Sequence, residues 1–177
     1  MLKSLILALA VLAAFSTVEA QEKAYSPPPT DAQIAMIAVT ANSVDIDVAK
    51  MADQKTTNKA VKEFAATMVR DHTAVNTKAT ALVKKLGVTP EESDTSKSLK
   101  SDGDKKMAQL MALTGAEFNK AYIDNEVSYH EAVMGVLDNT LIPNTKNAEL
   151  KVLLESARPI FASHLEHAKK LQASISK

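Results

Sequence analysis

The chain has 177 residues, with 21 Lys plus Arg against 21 Asp plus Glu and no cysteine. Formal neutrality excludes a nucleic-acid or polyanion binder, which needs surplus cations to displace phosphate counterions. Without a possible disulfide the fold has to hold by its own core, and four glycines, no tryptophan and many Ala, Leu, Lys and Met point to helix.

Residues 1–20, MLKSLILALAVLAAFSTVEA, read as a secretory signal. Lys3 precedes an apolar run from Leu5 to Phe15, and Val18 and Ala20 flank Glu19 in the pattern of cleavage after Ala20. The run is too short to span a bilayer comfortably. The expected mature chain is therefore exported to the periplasm, an address set by the signal alone, with no transmembrane segment; it keeps 157 residues (177 minus 20) and stays neutral, because Lys3 and Glu19 leave together. Residues 21–30 form an extended leader, since Pro27, Pro28 and Pro29 fix φ and remove donors. Residues 31–175 are one domain.

Thr30 or Asp31 caps the first helix, in which Ile34, Ile37, Ala41, Val44, Val48 and Met51 step by three and four until about Gln54. TTN at 56–58 offers the next cap. Val61, Phe64, Ala65, Met68, His72, Val75, Ala79, Leu82 and Leu86 then make one stripe, closed by Gly87. Pro90 to Gly103, containing SDTSKS and SDGD, reads as a loop before a short helix at Asp104 to Leu113. The third long helix runs from Gly115 to about Asn139 with Ile123, Val127, His130, Met134 and Leu137 in line, and IPNTKN ends it. The fourth runs from Lys146 to Ser174 along Leu150, Leu154, Ala157, Phe161, His164, Ala168 and Leu171, with a kink or break expected at Pro159. The reading is all-α: a four-helix bundle of up-down-up-down order with one short extra helix.

In VRDHTAV, Val69 to Val75, a histidine occupies a position where the helix stripe asks for an apolar residue. His130 and His164 do the same on two other helices. With a rise of about 1.5 Å per residue, and the second helix starting where the third ends, His72 falls roughly 22 Å, His164 roughly 27 Å and His130 roughly 13 Å from one end. That spread permits a shared site without requiring one. Glu126 is one turn before His130 on the same face, and Asp45 lies on the first helix near its height. Asp71 points about 100° away from His72, so the two do not act as one unit. Inward imidazoles and carboxylates from facing helices are ligands for a divalent transition metal: zinc, iron, copper or manganese. The candidate set is His72, His130, His164, Glu126 and Asp45. The competing reading is a buried polar network, with Tyr122 or Tyr129 satisfying the rings, inside a non-catalytic structural or stress-related interaction protein. His167 reads as an outward, solvated residue, and the seven methionines as core filler.

The segments VDIDVAKMADQKTTNKAVKEFAATMVRDHTAVN, FNKAYIDNEVSYHEAVMGVLDN and ELKVLLESARPIFASHLEHAKKL resemble the bacterial family labelled domain of unknown function 4142, from about Asp31 to Leu171. The resemblance rests on the acidic-apolar segment at Asp45, the run from Phe64 to His72, Tyr122 and His130, and the run from Pro159 to Leu165. It implies a secreted, ferritin-like four-helix bundle with no settled activity, and gives His72, His130 and His164 a shared place in its motifs. The Glu-x-x-His pairs of di-iron bundles are missing, since Glu126 to His130 is one residue too long. No Gly-x-Ser-x-Gly, phosphate-binding glycine loop, His-Glu-x-x-His or cysteine nucleophile occurs, so an enzyme is not expected. The sequence specifies neither a protein partner nor an oligomeric state.

Overall fold

A computed structural model describes residues 27–175, and among these every regular element is helical. The expected signal segment and most of the leader lie outside the described residues. The elements are α1 (Asp31–Lys55), α2 (Lys59–Leu86), α3 (Asp94–Met111), α4 (Gly115–Val136), a π turn (Leu137–Leu141), one further α turn α5 (Ile142–Asn144), and α6 (Ala148–Ile175).

Local chemistry accounts for most boundaries. Thr30 accepts from the Gln33 N–H while the Gln33 side chain accepts from the Thr30 N–H, a reciprocal cap that satisfies two orphan donors. Asn58 accepts from the Val61 N–H to open α2, and Gly87 ends it in the left-handed region at φ 64°, where a side chain would be strained. Asn147 accepts from the Glu149 and Leu150 N–H groups at the start of α6, and the Asp31 carboxylate accepts from the Lys146 and Asn147 N–H groups, fastening this turn to the start of α1.

Packing gives a different chain order from the one expected. One apolar cluster joins Val48, Ala49 and Ala52 near the end of α1 to Val61 and Phe64 near the start of α2, Phe118 and Tyr122 near the start of α4, and Ala168 and Leu171 near the end of α6. The other joins Ile34 and Ile37 at the start of α1 to Val75 of α2, Leu137 and Leu141 beyond α4, and Leu150, Leu154 and Phe161 in the first half of α6. Thus α2 and α4 run in the same direction and α1 and α6 run against them. The order is up-down-down-up, not up-down-up-down. The cause is α3, whose Leu99 packs on the second cluster and Leu110 in the first, so that it carries the chain back along the length of the molecule.

The expected loop at 90–103 is corrected by the same helix. Ser93 and Ser96 cap it reciprocally, and it starts ten residues before the expected Asp104. Its buried residues are Ser96 and Leu110, so it carries almost no apolar stripe to betray it. At the far end of α4 the helical path also persists through the expected breaker: Leu137 accepts from the Ile142 N–H, five residues on, just before Pro143, which has no N–H to donate. Pro159 causes no break in α6. It lies on an exposed face, where a carbonyl deprived of its donor meets water.

The long helices pack in the order α1, α2, α6, α4; α3 lies along α1 and touches α4, while α1 and α4 have no comparably close backbone approach. Tyr129 reaches across that gap and donates to the Ala41 carbonyl at 2.8 Å.

Candidate metal centre

Between the two apolar clusters lies a polar layer. Asn42 and Asp45 come from α1, His72 from α2, Glu126 and His130 from α4, and His164 from α6; each is at most 4 % exposed. Each sits on its helix between residues of the two apolar clusters, which is why all six face inward. Counted from the first-cluster end, where α2 and α4 begin and α1 and α6 finish, the heights are roughly 20 Å for His72, 22 Å for His130, 17 Å for His164 and 15 Å for Asp45. The expected spread of heights came from measuring the helices of His130 and His164 from their wrong ends. In the structure the three imidazole centroids are 5.2–5.5 Å apart.

Hydrogen bonding assigns a role to each ring nitrogen. Asn42 donates its amide to the Ala38 carbonyl, which turns its Oδ1 toward α2, where His72 Nδ1–H donates to it at 2.7 Å. His130 Nδ1–H donates to the Glu126 carbonyl at 3.0 Å. His164 Nε2–H donates to Asp71 Oδ2 at 3.0 Å. One proton per neutral ring is thereby placed on the outer side. The remaining nitrogens, His72 Nε2, His130 Nε2 and His164 Nδ1, are buried lone pairs with no hydrogen-bond partner.

These rings converge. One ligand nitrogen from each of His72, His130 and His164 lies within 4.8 Å of the others, and Asp45, Glu126 and His130 form a second such group. Asp45 Oδ2 is 3.1 Å from His72 Nε2 and 3.6 Å from His130 Nε2, and Glu126 Oε2 is 3.7 Å from His130 Nδ1. Asp45 Oδ1, Asp45 Oδ2 and Glu126 Oε2 also lack hydrogen-bond partners. The closeness of Asp45 to His72 is thus not a hydrogen bond between fixed donors and acceptors. It brings two lone-pair atoms together, an arrangement that a proton or a cation between them would stabilise.

Electrostatics follow from the burial. Desolvation pushes the Asp45 carboxyl up to about 7 and raises Glu126 well above the carboxylate range, with the neighbouring Asp45 charge adding to the rise. Desolvation likewise takes His72 down to about 2 and His130 down to about 4. His164 is also lowered by burial, against the pull of Asp71. Neutral, unprotonated imidazole is the ligand form.

All five candidates named from the sequence are brought into this layer. Two supporting residues escaped it: Asn42, which was assigned no role, and Asp71, which does point away from His72 yet holds His164 of a different helix. Asn42 had a sequence signal, its position three residues before Asp45 on one face of α1. Neither tyrosine takes the role considered for it, since Tyr129 bonds Ala41 and Tyr122 Oη has no partner. His167 is exposed, as read.

Fold and site together define an all-helical protein with a buried histidine and carboxylate layer between two apolar cores. The chain belongs to the family described as Domain of unknown function (DUF4142), which matches residues 16–171. No curated protein and no solved structure matches it.

Proposed function

We propose that this is an exported, ferritin-like four-helix bundle that binds one divalent transition-metal ion in its core. The ligands are His72 Nε2, His130 Nε2 and His164 Nδ1, with Asp45 as the fourth and Glu126 as the neighbouring carboxylate. Four long helices with a single long crossover, α3, support the ferritin-like reading. The observation that carries the metal reading is the division of labour in the three rings: each donates its outer N–H to an oxygen acceptor and leaves its inner nitrogen unbonded. Outer acceptors of this kind fix the tautomer and orientation of metal-bound histidine. Donors within 4.8 Å of one another reach bonds of about 2.0–2.1 Å by inward shifts of under about 1 Å. Three imidazoles and a carboxylate suit zinc, copper or iron, with manganese bound more weakly, and disfavour calcium or magnesium. The role that follows is holding, buffering or sensing a metal in the cell envelope.

One observation favours a second reading, a metal-free polar network in a structural or stress-related interaction protein: a protonated Asp45 carboxyl would satisfy His72 Nε2 at 3.1 Å. Thermal unfolding of chelator-treated protein with and without added zinc separates the two. Under the metal reading zinc raises the Tm of the wild type and leaves His72→Ala unmoved. Equal loss of Tm in the variant under both conditions, with no zinc response in the wild type, defeats it.

A further inference from the structure

Beside the polar layer, in the gap between α1 and α4 under α3, lies a cavity of about 640 Å³. This is the size of pockets that enclose small organic molecules. Its walls are mainly apolar, with Ile37, Val44, Val133, Leu141 and Leu154 among them, and Val136 and Leu137 bring the π turn to its edge. Such turns recur where a helix is reshaped around a site. The space is continuous with the layer, because Asp45, His72, Glu126 and His130 also line it.

Acidic side chains outnumber basic ones on this lining. Asp45 and Glu126 stand at the inner end, Asp94 and Asp102 at the rim on α3, and Lys106 is the one lysine or arginine among the described lining residues. The inner end is also short of donors: both Asp45 carboxyl oxygens, Glu126 Oε2, His72 Nε2 and His130 Nε2 are buried without a partner. We propose that this cavity is a binding site for an apolar molecule bearing one positively charged amine, a lipophilic cation, with its body between α1 and α4 and its ammonium directed at Asp45 and Glu126. An ammonium offers three N–H donors to these unpartnered oxygens and nitrogens, whereas a carboxylate head would bring only further acceptors. The site does not require a bound metal; where an ion occupies the histidines and Asp45, the preference for an amine narrows.

Decylammonium, decanol and decanoate are titrated by calorimetry into the chelator-treated full chain, with zinc binding measured on the same samples. The expected order is decylammonium at least tenfold tighter than decanol, with decanoate weakest. Ala79→Leu and Val136→Trp, which fill the space from α2 and α4 without touching the histidines, weaken decylammonium at least tenfold while zinc binding persists. Circular dichroism confirms that both variants are folded. Equal or tighter binding of decanoate, no saturable decylammonium binding by the wild type, or undiminished binding in both folded variants overturns the proposal. Zinc binding without amine binding removes the cavity site and leaves the metal reading standing; amine binding without zinc binding does the reverse.

Discussion

At the scale of single residues, metal binding turns on which nitrogen of each histidine is free. Replacing an outer acceptor tests this without touching a ligand. Asn42→Ala or Asp71→Ala should weaken zinc binding about 10- to 100-fold, the usual effect of losing a partner that orients a ligating imidazole. Competition against a chromophoric chelator measures it, and unchanged affinity in both variants would show that the rings are oriented by something else. The same residues set the acid response of the metal-free protein. His72, His130 and His164 have folded pKa values below the ordinary 6.5, so they contribute stability that is full above pH 6.5 and is lost as pH falls, because the unfolded chain takes up protons first. Asp45 and Glu126 are raised, from 3.8 and 4.5, and act in the opposite sense, favouring the folded state as pH falls toward those values. From about pH 6.5 to 4.5 the raised carboxyls offset part of the loss from the histidines, and below about pH 4, where the unfolded carboxylates also take up protons, the offset ends. Urea midpoints of chelator-treated protein should therefore decline gently over the first interval and steeply below it; an equally steep decline throughout would contradict this balance. The inward direction of the three histidines was legible in the sequence, because a histidine in an apolar stripe declares its direction. Their partners were less so. Asp71 serves a histidine 93 residues away on another helix, and no local spacing encodes that.

At the scale of elements, α3 is where sequence and structure part. Ser, Asp and Gly over 93–103 speak for a loop, and with two buried residues the helix lacks the stripe by which α2 and α6 are read. What fixes it is a cap at Ser93 and a close approach at Gly103, where an added Cβ would lie 2.6 Å from Val44 of α1. Gly103→Ala should therefore destabilise, by about 1–3 kcal/mol for overpacking less about 1 kcal/mol gained in helix propensity. In a Val44→Ala background the same change should be much milder or turn stabilising, by up to about 0.5–1 kcal/mol, because the two Cγ contacts are gone, only the Cβ contact at 3.3 Å stays, and the propensity gain remains. A double-mutant cycle in urea reads both signs, and an identical effect in the two backgrounds would refute the contact. Deeper in, Phe64 is fully buried in the first cluster, and Phe64→Ala should cost about 3–5 kcal/mol.

At the scale of the whole molecule, the all-helical class and the four long helices follow from apolar periodicity, which each long helix carries within itself. Their order does not. Direction depends on whether the link from α2 to α4 turns back or traverses, and α3 traverses, making α2 and α4 parallel and lifting His130 to the height of His72. A misread link thus became a misjudged register: the named residues meet in one layer, at heights other than those expected. The assembled molecule isolates a polar layer between two apolar cores. A metal bound there would couple all four long helices, and saturation at 100 times Kd should add about 2.7 kcal/mol to stability. The central claim is that the free nitrogens of His72, His130 and His164 hold a metal ion. Its most direct test is the metal content of the untagged chain from Gln21 to Lys177, purified without chelator beside His72→Ala. Close to one transition-metal ion per chain is expected in the wild type, and its loss in the variant. Metal absent from both, with no uptake of zinc, copper, iron or manganese on addition, would contradict it.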